Sequence, residues 1–334
     1  MTNILIPNTT LDVSSICLGA GEIGSSLNEK DSFELLDLFV ELGGNFLDTA
    51  HVYGSWVSGL HSPSEKTIGS WMKARRNRDG IVVATKGAHP NLDSMDVPRM
   101  SRKEILQDVD ESLEHLQTDR IDLYWLHRDD PKLSVEVILE TLESQVHAGK
   151  IRYYGASNWK TARLREAQEY ADKHNIAGFV ADQSLWNAAI LAGTPYGDPT
   201  LGWMDEERYC FHVESGMAMI PYQSQAFGLF QRMENGTMEQ MNQGFRGFYK
   251  SEETGVRFER MMQVKARTGL TITQIVLGYL TSQPFVTVPI IGCHKPEQVR
   301  DSMTALDVQL SPQDLMFIEY GEGMIGSKEK RWNR

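Results

Sequence analysis

The strongest constraint on this chain is a repeated alternation of two patterns. Short apolar runs occur at 16–19, 45–48, 81–86, 121–126, 151–156, 178–183, 217–222 and 286–291. Each is too short for a helix and long enough for a buried strand. Between them lie longer stretches with helical periodicity, clearest at 31–42, 64–75, 101–116, 135–148, 161–173 and 273–282. In 101–116, Ile105, Val109, Leu113 and Leu116 repeat on one face, with charges opposite. Asp31 and Ser32 suit the N-cap of the first helix, and Gly43 and Gly44 its stop. Strands alternating with helices predict a parallel sheet covered by helices, and eight such units predict a closed (β/α)8 TIM barrel. The 334 residues then form a single domain, 1–334, with the polar stretch 322–334 as a loosely held tail. Gly19, Gly21 and Gly24 fit G-x-G-x-x-G by letters, but the turn-like 25–28 follows instead of a helix, so an open dinucleotide-binding sheet is not supported.

Bulk properties narrow the function. A formal net charge of −12 argues against a nucleic-acid groove or an anionic membrane as partner. No run approaches the ~18 apolar residues of a membrane span. The first ten residues lack a basic start and an apolar core, so a cytoplasmic location is expected. The 3 cysteines, Cys17, Cys210 and Cys293, are far apart and odd in number, which supports neither a disulfide framework nor a thiolate zinc site.

In a barrel the chemistry lies at the carboxyl ends of the strands. There the second, third and fourth runs end in Asp48, Lys86 and His127. Taken singly, each has a structural explanation: a turn-capping aspartate, a strand-end lysine, a satisfied core histidine. Together they are harder to dismiss. Lys86 leaves an apolar strand and needs an anion, and Asp48 on the neighbouring strand is the natural one. Tyr53 follows in the same loop as Asp48. A phenol with a pKa of about 10 is a poor proton donor near neutrality, and an adjacent ammonium lowers that value. Asp48 would hold Lys86 charged, while His127 would orient a carbonyl and share the donation. This is the logic of protonating an oxygen while hydride arrives at the carbon.

The ordered motifs identify the resemblance. D-T-A-H-V-Y-G from Asp48, V-A-T-K-G around Lys86, D-L-Y-W-L-H ending at His127 and G-A-S-N-W from Gly155 resemble the aldo-keto reductases across nearly the whole chain. The resemblance implies a catalytic tetrad of Asp48, Tyr53, Lys86 and His127, a nicotinamide cofactor and a small-molecule carbonyl substrate. It implies that Ser157, Asn158 and Gln183 bind the carboxamide and that Tyr222 stacks on the nicotinamide. Gln223 and the segment to Phe230 would cross the pyrophosphate, with Gly228 allowing close approach. Gly21, Gly292, His294, Lys295 and Gln298 complete the implied cofactor set. Many relatives carry Arg where this chain has His294, and Lys295 could compensate. NADP(H) is expected over NAD(H).

Long segments follow the second, sixth and seventh runs. They hold Trp56, Trp186, Trp203, Phe248 and Tyr249, with His51 nearby. His51, Trp56 and Trp186 are the candidate substrate residues. Aromatic plates mixed with polar groups suit a sugar or cyclitol, although such aromatics also pack loops onto barrels. No metal is expected, because His51, His89 and His127 are scattered and no H-x-H pair occurs. A Schiff-base aldolase using Lys86 conflicts with a charged lysine beside Asp48. A cofactor-binding sensor or regulatory subunit with little turnover is the alternative to an enzyme. Oligomeric state and reaction direction are left open by the sequence.

Overall fold

The computed structural model describes residues 3–249 and 252–321, so the expected tail at 322–334 lies outside the described residues. The chain opens with an antiparallel hairpin of β1 (Ile4–Leu5) and β2 (Asp12–Val13) that the apolar-run pattern does not reveal. Eight parallel strands follow: β3 (Cys17–Gly19), β4 (Phe46–Asp48), β5 (Val82–Gly87), β6 (Ile121–Leu126), β7 (Ile151–Ser157), β8 (Phe179–Gln183), β9 (Ala218–Met219) and β10 (Ile290–Gly292). They neighbour one another in chain order, and β10 pairs with β3. Closure comes from backbone bonds between Met219 and the run before β10: Met219 N–H donates to Val286 O at 2.9 Å, and Val288 N–H to Met219 O at 2.9 Å. The expected (β/α)8 barrel is therefore present. Its last two regular ladders are shorter than the apolar runs because Pro221 and Pro289 remove ladder donors.

Helices α1 (Glu29–Glu41), α2 (Pro63–Arg75), α3 (Arg102–Leu116), α4 (Val135–His147), α5 (Thr161–His174) and α6 (Glu206–Ser215) connect the strands up to β9. Beyond β9 come α7 (Leu229–Glu234), α8 (Gln243–Tyr249), α9 (Glu252–Thr268) and α10 (Ile272–Thr281), and beyond β10 α11 (Pro296–Met303) and α12 (Pro312–Tyr320). Ser101 caps α3 in a reciprocal box with Glu104. The cap of α1 differs from expectation. Asn28 accepts from the Asp31 amide at 3.0 Å, and Ser32 is buried one turn further on.

Two apolar layers result. One lies between strands and helices. The other fills the barrel, where Cys17, Phe46, Ala84, Leu123, Trp125, Ala218 and Val288 pack together. Ile6, Leu11 and Val13 of the hairpin region join this inner layer. The alternation of a strand sets what sits above it. Two residues beyond Phe46 is Asp48, two beyond Ala84 is Lys86, and two beyond Trp125 is His127. The polar trio thus stands on the inward face, one step above an apolar plug.

Candidate active site

Asp48, Lys86 and His127 are all buried. The Lys86 ammonium donates to Asp48 Oδ2 at 2.5 Å and to the Thr49 carbonyl at 2.7 Å. It lies 4.5 Å from the centre of the Tyr53 ring. Asp48 Oδ1 accepts from Gln183 Nε2 at 2.9 Å, so both carboxylate oxygens are occupied. The loop after β4 is held to β5, with the His51 amide donating to Lys86 O at 2.9 Å. The Tyr53 ring meets the His127 ring edge-on with centroids 5.8 Å apart.

The electrostatics refine the expected division of labour. Burial favours a neutral Lys86, but Asp48 and then Tyr53 outweigh it, and the ammonium is held above its ordinary value. Burial raises the Tyr53 phenol, and Lys86 only partly pulls it back. The lowering expected from the ammonium is thus overcome by desolvation in the free protein. Burial, His89, Arg128 and Lys86 together press His127 well below the usual histidine range. A neutral His127 orients by hydrogen bonding. Its Nδ1 makes no hydrogen bond within the protein.

A cavity of about 890 Å³ opens from Asp48 and Tyr53. It runs past Tyr222 and the turn at Gln223, Phe227 and Gly228 to Gly292, His294 and Gln298. The turn is held in left-handed backbone at Gln223, Ala226, Phe227 and Gly228. Phe227 stacks on Phe245 with centroids 4.1 Å apart, and Tyr196 packs edge-on to Phe245 at 5.9 Å. Trp56, Tyr196, Phe227 and Phe245 make the cavity wall aromatic.

Residues 15–319 match the sequence profile of the Aldo/keto reductase family. The chain belongs to that family. It is similar to norsolorinic acid reductase B of Aspergillus parasiticus, at 30% identity over 94% of this chain and 82% of that protein. It is similar to aryl-alcohol dehydrogenase [NADP(+)] of Phanerodontia chrysosporium, at 29% identity over 94% of this chain and 84% of that one. A thermostable aldo-keto reductase solved with the inhibitor epalrestat shares the fold, with a TM-score of 0.70 over 96% of this chain and 99% of that one at 22% identity. This aldo/keto reductase is an NAD(P)H-dependent oxidoreductase of carbonyl compounds.

The cleft fits such a cofactor. At Gly21 and Gly292 a methyl group would meet nothing within 4 Å, and both line the cavity. Gly228, at φ 73°, turns the segment that crosses it. Tyr222 lines the cavity and donates from its hydroxyl to Asn158 Oδ1 at 2.8 Å, while Asn158 Nδ2 donates to Ser157 Oγ at 3.0 Å. The Asn158 amide donates to the Gln183 carbonyl at 3.0 Å, so Ser157, Asn158, Gln183 and Tyr222 form one bonded set that reaches Asp48 through the Gln183 side chain. Gln298 Oε1 accepts from the His294 and Lys295 amides at 2.7 and 3.1 Å, so that oxygen already serves the start of α11.

Ser157, Asn158 and Gln183 do not themselves line the cavity, and three more expected contacts also fall elsewhere. Trp186 is buried away from the cavity among Tyr209, Tyr279 and Phe285. The apolar packing opportunity behind the loop wins over the pocket. His51 turns toward α3, where its Nε2 lies 2.8 Å from Glu111 Oε2. Lys295 is not among the residues that line the cavity, whereas Arg232 of α7 is. Arg232 was not singled out in the sequence, because a lone arginine in a long polar segment carries no signal of its own. Tyr196 and Phe245 were signalled only as part of the long loops, and Phe227 only as part of the segment expected to cross the pyrophosphate. Trp56 does line the cavity, half exposed beside Tyr53.

Proposed function

We propose that this enzyme reduces an aldehyde or ketone borne on a planar aromatic framework, with NADPH as donor and Tyr53 as the proton source. The observation carrying the substrate reading is the aromatic wall: Trp56, Tyr196, Phe227 and Phe245 line the same cavity as Tyr53 and Asp48, with the Trp56 ring 6.2 Å from that of Tyr53. Flat aromatic faces offset-stack on a flat ligand and contribute roughly 0.5–1.5 kcal/mol each beyond their buried area. The naming of a similar protein as an aryl-alcohol dehydrogenase supports the same reading. The sugar or cyclitol expected from the loops rested on Trp56, Trp186, Trp203, Phe248 and Tyr249 with His51, and only Trp56 of these lines the cavity.

A bound nicotinamide supplies the hydride. The protein supplies the rest. Asp48 keeps Lys86 charged and fixed through the 2.5 Å contact. Lys86, lying against the Tyr53 ring, stabilises the phenolate as its proton leaves for the substrate oxygen, an interaction that grows only as charge develops. His127 orients the carbonyl by a hydrogen bond. Tyr222 offers its ring face to the nicotinamide, and Ser157, Asn158 and Gln183 hold the carboxamide. Arg232 supplies positive charge and His294 an imidazole N–H for the phosphates, and NADPH is favoured over NADH on that account.

The test is kcat/KM for a benzaldehyde-type aldehyde against a keto-sugar of similar size, with Phe227→Ala and Trp56→Ala as companions. The aryl aldehyde is expected to win by at least ~10-fold, and each variant to lose several-fold on it, as removal of one aromatic contact predicts. A clear win for the keto-sugar, with both variants unchanged on the aryl aldehyde, would replace the aromatic reading with the sugar one.

A further inference from the structure

Behind the catalytic loop, on the outer side of the barrel, three of the chain's 9 histidines meet. His51 comes from the loop after β4, His61 from the turn before α2, and His115 from the end of α3. Their ring centroids lie 5.4 Å apart for His51 and His61, 5.5 Å for His51 and His115, and 5.6 Å for His61 and His115. Glu111 stands one turn before His115 on the same face of α3. One nitrogen each from His51 and His61 and one carboxylate oxygen of Glu111 all lie within 4.8 Å of one another. We propose that His51, His61 and Glu111 form a Zn²⁺ site that ties the catalytic loop to α3 and to the start of α2.

The donor set favours such an ion. Two imidazoles and a carboxylate are the ligand types of zinc sites that keep a fourth position for water. Each protein–zinc bond is roughly 2.0–2.2 Å, so tetrahedral ligand atoms need to sit roughly 3.3–3.5 Å apart. His51 Nε2 and Glu111 Oε2 lie 2.8 Å apart, and a zinc ion between them would widen that separation slightly and take the Nε2 lone pair of a neutral imidazole whose proton sits on Nδ1. His61 is exposed and held only by a 3.4 Å contact of its Nδ1 with Ser62 Oγ and by edge contacts with His51 and His115, so a side-chain rotation closes the remaining distance, and its exposure gives the ion a path in.

The supporting shell is built as metal sites require. Glu111 Oε1 accepts from Gln107 Nε2 at 2.7 Å, which fixes the carboxylate and leaves Oε2 for the site. Ser62 donates to the His51 carbonyl at 2.7 Å, joining the two histidine-bearing segments. His115 stacks on His51, and its Nδ1 lies 3.0 Å from the fully buried Glu65, which also accepts from Thr85 of β5 at 2.5 Å. The site is separate from the cavity, because none of its three ligands lines that space. Its link to catalysis is through the chain: His51 lies between Asp48 and Tyr53 in the same loop.

The test uses the untagged protein after treatment with a chelator, titrated with ZnCl2 by calorimetry and with CoCl2 by visible absorption. The expected result is one saturable zinc site per chain, a rise in melting temperature on loading, and a tetrahedral cobalt spectrum. His61→Ala, at an exposed position, should fold normally, keep the metal-free reductase rate, and weaken zinc binding at least ~10-fold. Glu111→Gln should do the same to zinc. Absence of saturable one-to-one binding would overturn the proposal. So would affinity unchanged in both variants, which would place the zinc at another site such as Cys210.

Discussion

At the residue scale, the most informative side chain is Arg232. Among the described residues lining the cavity it is the sole arginine or lysine, with His294 the only other basic side chain. If it faces the 2′-phosphate, Arg232→Ala should weaken NADPH more than NADH, by an amount in the ~1.5–3 kcal/mol range of a charge-assisted bond. Fluorescence titration with both cofactors measures this, and equal weakening would assign Arg232 to a shared phosphate or to structure. The paired change of His294→Ala with Lys295→Ala gives the complementary case. Since Lys295 stands outside the cavity lining, His294→Ala alone should account for the loss. Asp48, Lys86 and His127 were legible in the sequence because strand periodicity carries them: each follows an inward apolar residue by two positions, whereas Tyr53 lies in the loop after β4 and was legible only through the D-T-A-H-V-Y-G motif. Arg232 and the His51–His61–Glu111 group were not, because their members meet only through loops and helix ends whose paths no local pattern fixes. Trp186 misled for a related reason. An aromatic in a loop looks the same whether it faces a ligand or the back of the barrel.

At the element scale, α6 is joined to β8 by a buried charge network. Arg208 Nη1 donates to Asp182 Oδ2 at 2.5 Å and to Ser184 Oγ at 2.9 Å, and His212 Nε2 lies 3.1 Å from the same carboxylate. All of these groups are buried. Asp182→Asn leaves Arg208 charged and without its counter-ion, which should cost about 3–5 kcal/mol. Equilibrium unfolding in urea would measure it, and a loss below ~1 kcal/mol would mean the network is dispensable. Burial opposes ionisation of Asp182, but Arg208 and His212 prevail, so its folded pKa lies below the ordinary value. A depressed carboxylate contributes stability that is present above its unfolded pKa of about 3.9 and is lost as pH falls through the folded pKa. The Asn variant should therefore lose the Asp182 component of acid sensitivity. The helix caps behave more locally. Asn28→Ala should remove about 1 kcal/mol by freeing the Asp31 amide, whereas Ser32, named by the sequence pattern, is buried and bonds instead to the Leu27 carbonyl at 3.2 Å.

At the scale of the whole molecule, the barrel was legible from the eight alternating units, and the missing features were those without alternation. The opening hairpin spans two residues per strand, too few for a periodic signal. The segment after β9 reads as a long loop but folds into α7, α8 and the start of α9, where stacked Phe227 and Phe245 bring the turn at 223–228 against the cavity. The barrel interior is apolar up to Ala84 and Trp125 and polar directly above, so the fold itself delivers Lys86, Asp48 and His127 to one dry rim. The central claim is that this rim reduces a carbonyl with Tyr53 as the proton source. Tyr53→Phe tests it most directly, through single-turnover oxidation of bound NADPH by an aldehyde together with NADPH titration of the same variant. Turnover should fall by about 10²–10⁴-fold, the usual contribution of a positioned proton donor, while NADPH affinity changes by less than about two-fold. Turnover close to that of the unmodified enzyme, with the cofactor bound normally, would contradict the account.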